Sequence, residues 1–279
     1  MQFRLLSLSS ILLTFFCSIS FADSKILATS AATSLEGSAG GGIVPWAIIS
    51  GYGDTGEIGG NFSFTTVNVN DFRLDVTSFN LGFGNRLELS YSHHDLHVEP
   101  LNLNIRQDIY GLKYKLIGDL IYNNIPQISA GIQYKHNKDS LIPDLLGAND
   151  NSGTDYYLSA SKLWLAGLFG RNVLANTTLR YTAANQIGLL GFGENGNDDY
   201  QLVGETSIGI FLNPHWLIGA EYRQKPDRLD TVKEDHWKDI FIGWFPNKTV
   251  SFVLAYSDLG DIAGLPDQSG LYLSIQLGL

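Results

Sequence analysis

The sequence predicts an all-β fold: a transmembrane antiparallel up-and-down β-barrel of about twelve strands, entered through a Gly-rich N-terminal segment. Three observations carry this expectation. Short stretches in which apolar and polar residues alternate recur from Glu57 to the last residue, the period of a strand with two unlike faces. The connections between these stretches sort into short and long by turns. Hydrophobic residues make up 44% of the chain, yet after the first 22 residues no apolar run approaches the ~20 that a membrane-spanning helix needs.

The chain starts with a short positive stretch at Arg4 and a mostly apolar run, Leu5 to Phe21. Ser20-Phe21-Ala22 places small residues at the two positions that specify cleavage. Residues 1–22 therefore read as a secretory signal peptide, with the mature chain starting at Asp23. A retained anchor is disfavoured because the run is short and interrupted by Ser and Thr. Cys17 is preceded by Thr14-Phe15-Phe16, bulky where a lipidation signal wants small residues. It is the only cysteine, so disulfides cannot stabilise the mature chain. A net charge of −10 argues against a nucleic-acid partner.

Residues 23–56 are small, polar and Gly-rich, and form a periplasmic segment or a lumenal plug. Ala28 to Gly42 reads as loop or turn. Ile43 to Ser50 could form a strand, but an even strand count places it outside the wall, with the lumen as one possible position.

Residues 57–279 form the barrel. Strands are expected at 57–68, 71–83, 86–98, 105–117, 127–137, 155–165, 172–184, 199–211, 216–223, 237–245, 249–257 and 270–279. The last is the clearest: Leu271, Leu273, Ile275, Leu277 and Leu279 share one face, opposite Tyr272, Ser274, Gln276 and Gly278. In lipid the backbone must pair strand to strand, so the sheet must close, with apolar side chains outward and polar ones tolerated inside. Tyr110, Tyr114, Tyr134, Tyr156, Tyr181, Trp216, Tyr222, Trp244 and Tyr256 fall near strand ends and suggest two aromatic girdles. Pro246-Asn247-Lys248 and Asn213-Pro214-His215 are short connections, whereas 258–269, 224–235, 185–198 and 137–154 are long. Barrels of this kind keep short turns on the periplasmic side, together with both termini. The boundary at Asn68 to Asp71 is the least defined, because the alternation changes phase around Ser78.

Leu27-Ala28-Thr29-Ser30, Leu35-Glu36-Gly37, the run GGGIVPWAIISGYG from Gly40 to Gly53, and DFRLDVTSFNLGFGNRLELSYS from Asp71 to Ser92 resemble a family of proteobacterial outer-membrane proteins of unknown function. The resemblance implies a barrel in the outer membrane of a Gram-negative cell and carries no activity or site residues. The terminal Leu279 departs from the Phe that usually ends such barrels.

Four motifs bear on function. Gly51-Tyr52-Gly53-Asp54-Thr55-Gly56 matches G-x-G-x-x-G, but no helical period follows it, so a turn is expected rather than a dinucleotide site. His93, Asp95 and His97 share one strand face, a spacing compatible with a metal, yet they lie where polar residues are merely solvated. Ser90 or Ser92 with His94 could on paper serve a barrel-embedded lipid hydrolase, although no G-x-S-x-G elbow occurs. No catalytic, cofactor or metal residue is assigned. The lumen-lining candidates are Glu88, Lys113, Lys115, Lys135, Arg180, Glu205, Glu221, Arg223 and Asp239, with Glu88–Lys115 and Arg180–Glu205 expected as cross-strand pairs. Opposing charges fit a narrow pore that selects small solutes; they equally fit a filled lumen. A small-solute channel leads, ahead of a lipid-modifying hydrolase or a passive structural or adhesive barrel. Expected partners are outer-membrane lipids and lipopolysaccharide, met by acidic outer loops such as Asp144, Asp198 and Asp230, the outer-membrane assembly machinery, and a small solute.

Overall fold

The computed structural model describes residues 25–194 and 196–279; the expected signal segment 1–22 lies outside the described residues. Two short strands come first, Ala32–Thr33 (β1) and Ala39–Gly40 (β2), paired only with each other. Twelve long strands follow: Ile58–Asn68 (β3), Phe72–Phe83 (β4), Leu87–Val98 (β5), Leu103–Ile117 (β6), Gln127–Asn137 (β7), Ser152–Leu168 (β8), Arg171–Thr182 (β9), Gln201–Asn213 (β10), Trp216–Arg223 (β11), Trp237–Trp244 (β12), Val250–Asp258 (β13) and Ser269–Gly278 (β14). Each pairs antiparallel with its sequence neighbour, and β14 pairs with β3 from Leu271↔Asn68 to Gly278↔Asn61, so the sheet closes. Closure leaves no edge whose backbone groups would face lipid unpaired.

The outward face carries the belt that alternation implied. Leu89, Leu112, Ile132, Leu158, Leu179 and Ile208 are all exposed on it. Such a contiguous apolar surface is stable against hydrocarbon and not against water. Aromatic contacts sit at two levels. Tyr181 stacks on Tyr200 at 4.8 Å towards the long loops, and Trp216 on Trp244 at 5.6 Å beside the short turns.

The phase change at Ser78 has a simple origin: β4 stays straight while its surroundings change. Near the long loops its buried inward residues are Phe72, Leu74 and Val76, with Arg73 and Thr77 exposed outside; beyond Ser78 the inside turns polar at Asn80 and the outside apolar at Phe79. The strand thus runs past the lipid, and the outer part of the barrel is apolar inside and polar outside, like a soluble barrel. The β5–β6 connection also reverses sooner than expected. Glu99–Leu101 forms a 3-10 turn and Asn102 adopts the left-handed region at φ 48°. This moves the register by two residues, so Glu88 opposes Lys113 and not Lys115.

The N-terminal segment fills the lumen. Every residue of 28–53 is buried. The segment enters and leaves at the short-turn end, where the Lys25 N–H bonds the Tyr52 carbonyl at 3.4 Å. Gly51, at φ +75°, packs on the backbone of Gly59 and Gly60, where any Cβ would overlap. The G-x-G-x-x-G run is therefore the turn that delivers the chain into β3. Ile43 to Ser50 lies in the lumen outside the wall, and the short strands β1 and β2 form within Ala28 to Gly42, where the sequence reads as loop or turn. At the opposite mouth the β9–β10 loop folds inward as a lid. Gln107 Nε2 donates to Ile187 O at 3.2 Å and Asn137 Nδ2 to Leu189 O at 2.6 Å. Leu189 and Leu190 meet Leu35 of the plug around a void of about 30 Å³ that Trp237 and Ile262 also line.

Candidate functional site

An irregular backbone inside a membrane barrel must find partners for its N–H and C=O groups. Here lumenal side chains supply them. Lys113 Nζ donates to the carbonyls of Ala39, Trp46 and Ile48 at 2.9, 3.1 and 2.7 Å. Glu88, 3.1 Å from the same ammonium, accepts the N–H groups of Ala39 and Ser50 at 3.0 and 2.9 Å. One lumenal ion pair thus holds both arms of the plug. Gln127 Nε2 and Ser129 Oγ donate to Ala47 O, Thr178 Oγ1 to Pro45 O, and Asn80 Nδ2 to Gly37 O.

The centre of the site is Glu36, fully buried at the tip of the plug. Its carboxylate accepts from Arg180 Nη2 at 2.8 Å, from Arg223 Nη1 and Nη2 at 2.9 Å each, and from Lys135 Nζ at 2.5 Å. Asp155 lies 2.6 Å from Lys135 and 3.0 Å from Arg180; Glu205 lies 2.5 Å from Arg180 Nε. Three acids face three bases, so the cluster is neutral. Breaking one member of such a buried group typically costs ~3–5 kcal/mol, because a desolvated charge is left behind.

The expected lumen candidates all point inward. Lys135, Arg180, Glu205 and Arg223 converge on Glu36, Glu88 joins Lys113, and Glu221 and Asp239 sit opposite each other on β11 and β12. Lys115 stands apart: the two-residue register change separates it from Glu88, and it lies at the short-turn mouth 3.8 Å from Asp119. There it borders a cleft of about 210 Å³ with Lys25 and Asp54. The Arg180–Glu205 pair forms as expected. Glu36 and Asp155 were missed. Glu36 is the only charge between Lys25 and Asp54, and a lone carboxylate in a buried stretch needs a cation, which is the signal that could have found it.

The remaining motifs have structural partners. Ser92 Oγ donates to Leu35 O at 2.8 Å, and His94 Nε2 approaches the same carbonyl at 2.7 Å, so both grip the plug. His93, Asp95 and His97 share the outward face above the aromatic level. His93 Nδ1 contacts Asp108 at 2.7 Å, His97 Nδ1 contacts Asn104 at 2.7 Å, and Asp95 accepts from Asn104 at 2.6 Å. No group of three or more His, Cys, Asp or Glu poised for a metal occurs among the described residues. In the outer loops, Lys225 and Glu234 are buried beside each other and Lys225 lies over Trp237 at 4.9 Å. Burial pushes the Lys225 ammonium down and the Glu234 carboxyl up from their ordinary values.

The model of a family of proteins of unknown function, DUF3034, matches residues 29–276. The chain belongs to this family. The match spans plug and wall together. Among solved structures the chain is similar in fold to the KdgM porin, at 10% identity and a TM-score of 0.51, over 78% of this chain and 98% of that one. The same porin in complex with disordered oligogalacturonate gives the same values. An outer membrane channel from Pseudomonas putida F1, of the group COG4313, aligns at 12% identity and a TM-score of 0.46 over 80% of this chain and 95% of that one. No curated protein matches the chain.

Proposed function

We propose that this family member is an outer-membrane channel for small polar solutes, closed by its own N-terminal segment. The observation that carries the reading is the way the plug is held. Lumenal ions and amides grip it through hydrogen bonds, worth ~0.5–1.5 kcal/mol each between neutral groups and ~1.5–3 kcal/mol each to charged ones, and water can replace these bonds once the lumen opens. When the segment withdraws towards the short-turn mouth, where both its ends lie, the groups it leaves become the pore lining. Lys113, Lys135, Arg180 and Arg223 would then face Glu88, Asp155 and Glu205 across a narrow channel, an arrangement that selects by charge and size. The porin fold is consistent with passage and does not identify the solute.

A passive barrel is the second reading, favoured by the lid: Leu189 and Leu190 seal the outer mouth onto Leu35. A lipid hydrolase draws less support, because Ser92 and His94 both turn to the Leu35 carbonyl beneath the plug. On any of these readings the acidic outer loops would meet lipopolysaccharide through bridging cations; Asp235 and Asp258 are already paired to Lys233 and Lys238 at 2.7 and 2.9 Å.

Planar-bilayer recording tests the channel. The full chain is expected to conduct in rare steps, a chain lacking residues 25–56 in frequent ones, and Lys113→Glu with Lys115→Glu should turn the selectivity towards cations. Bilayers silent with both the full and the shortened chain would overturn the reading in favour of the passive barrel.

A further inference from the structure

The buried charges of the lumen fall into neutral sets with one exception. Glu36, Asp155 and Glu205 balance Lys135, Arg180 and Arg223; Glu88 balances Lys113; Glu234 balances Lys225. Glu221 and Asp239 have no basic partner among the described residues, although both are buried. They are direct cross-strand neighbours on β11 and β12 and point the same way. Like charges so placed repel, and a desolvated pair of carboxylates needs either a counter-ion or a shared proton.

The pair is embedded in oxygen. Ser207 opposes Glu221 on one side and Ser257 opposes Asp239 on the other, giving a row of four inward oxygen-bearing residues around β10 to β13. Glu221 is partly engaged: it accepts from Ser207 Oγ at 2.6 Å and from the Ile43 N–H at 2.8 Å. Asp239 is not. Neither of its carboxylate oxygens has a hydrogen-bond partner, and neither does the Ser257 hydroxyl beside it. Asp239 is 5% exposed and Ser257 fully buried, so bulk water does not solvate them. The plug crosses this row at Gly41 and Gly42, where an added Cβ would overlap Glu221 and come within 3.5 Å of Asp239 Oδ2. The two glycines let the backbone pass close to both carboxylates.

We infer that Glu221, Asp239 and Ser257 form a binding site for a hard divalent cation of the calcium type, at the point where the plug meets the wall. The donor set decides the class. It consists of two carboxylates and a hydroxyl, with no nitrogen or sulfur, and hard oxygen ligands suit calcium or magnesium over zinc or copper. Two negative charges match a divalent ion. With only two acidic ligands, backbone carbonyls and water complete the shell, which calcium accepts more readily than magnesium because its geometry is flexible. The site needs the plug docked in the closed barrel and is independent of whether solutes pass.

The test uses the folded full chain in detergent, stripped with a chelator and titrated calorimetrically with calcium chloride, then with magnesium chloride. One saturable calcium site is expected, with magnesium weaker, and Asp239→Asn should lower calcium affinity at least tenfold. Ser257→Ala, milder for folding, should lower it less. Exchange protection of the Gly41 and Gly42 amides should rise on calcium addition in the wild type and not in Asp239→Asn. Absence of a saturable site overturns the inference, as does equal binding by Asp239→Asn, which would place the ion on the acidic outer loops. An infrared band of a protonated carboxyl at neutral pH that persists with calcium would overturn it too, since the pair would then be neutralised by a proton.

Discussion

The wall and the segment inside it are held by opposite means. Along β3 to β14 the backbone satisfies itself, rung by rung, and side chains only sort the two faces. From Ala28 to Gly53 the backbone has little regular structure beyond the two-residue strands β1 and β2, and side chains from the wall satisfy it. The polar lumen is therefore not simply what water requires. Lys113 and Glu88 are the hydrogen-bonding surface that an irregular chain needs in order to be buried. The same lumen is a binding site for its own N-terminal segment and, on the proposed function, would line the pore once that segment leaves.

The contrast predicts that some substitutions release the plug and spare the wall, and others do the reverse. The largest effect belongs to Glu36→Ala. It strands Arg180, Arg223 and Lys135 opposite two acids, and should weaken plug docking by ~3–5 kcal/mol. Hydrogen exchange should rise across residues 28–53 while the barrel keeps its resistance to unfolding on gels. Close behind comes an outward substitution near mid-belt, Leu254→Arg. A charge facing the bilayer midplane costs ~2–4 kcal/mol, and here folding yield in lipid vesicles should fall with no selective loosening of the plug. Gly82→Val is intermediate. Its side chain would overlap the Ser50 carbonyl, and overpacking of this kind costs ~1–3 kcal/mol, read as protease access to the 50–57 stretch. Ser92→Ala should be smallest, at ~1 kcal/mol or less, because His94 still contacts the Leu35 carbonyl. If Ser92→Ala instead loosened the plug as much as Glu36→Ala, the ion cluster would not be its principal anchor.

Legibility in the sequence followed the same division. The wall was readable because its constraint repeats: each strand meets lipid on one side, so Leu271 to Leu279 announce themselves by period alone. Errors arose where a turn chose the register. Nothing local says that Asn102 will reverse the chain two residues early and hand Glu88 to Lys113. The phase change at Ser78 was visible, but its cause, a strand outlasting the membrane, required seeing Phe72 and Val76 packed beneath a lid. The plug was not readable in its path. Its contacts join residues far apart in the chain, such as Glu36 to Arg223 and Ile43 to Glu221, and no periodicity encodes them.

If the plug closes a channel and can leave it, as proposed, then a reversible cross-link between plug and wall must control conduction. Cys17 is the only cysteine of the chain, so with that residue absent or replaced by serine a disulfide can be placed cleanly between plug and wall. Thr33→Cys with Asn80→Cys joins two side chains that now touch at 3.2 Å. Combined with Glu36→Ala and recorded in planar bilayers, this protein should be silent when oxidised and show discrete conductance steps once a reductant is added. Identical traces before and after reduction, with the cross-link verified on a gel, would contradict the account.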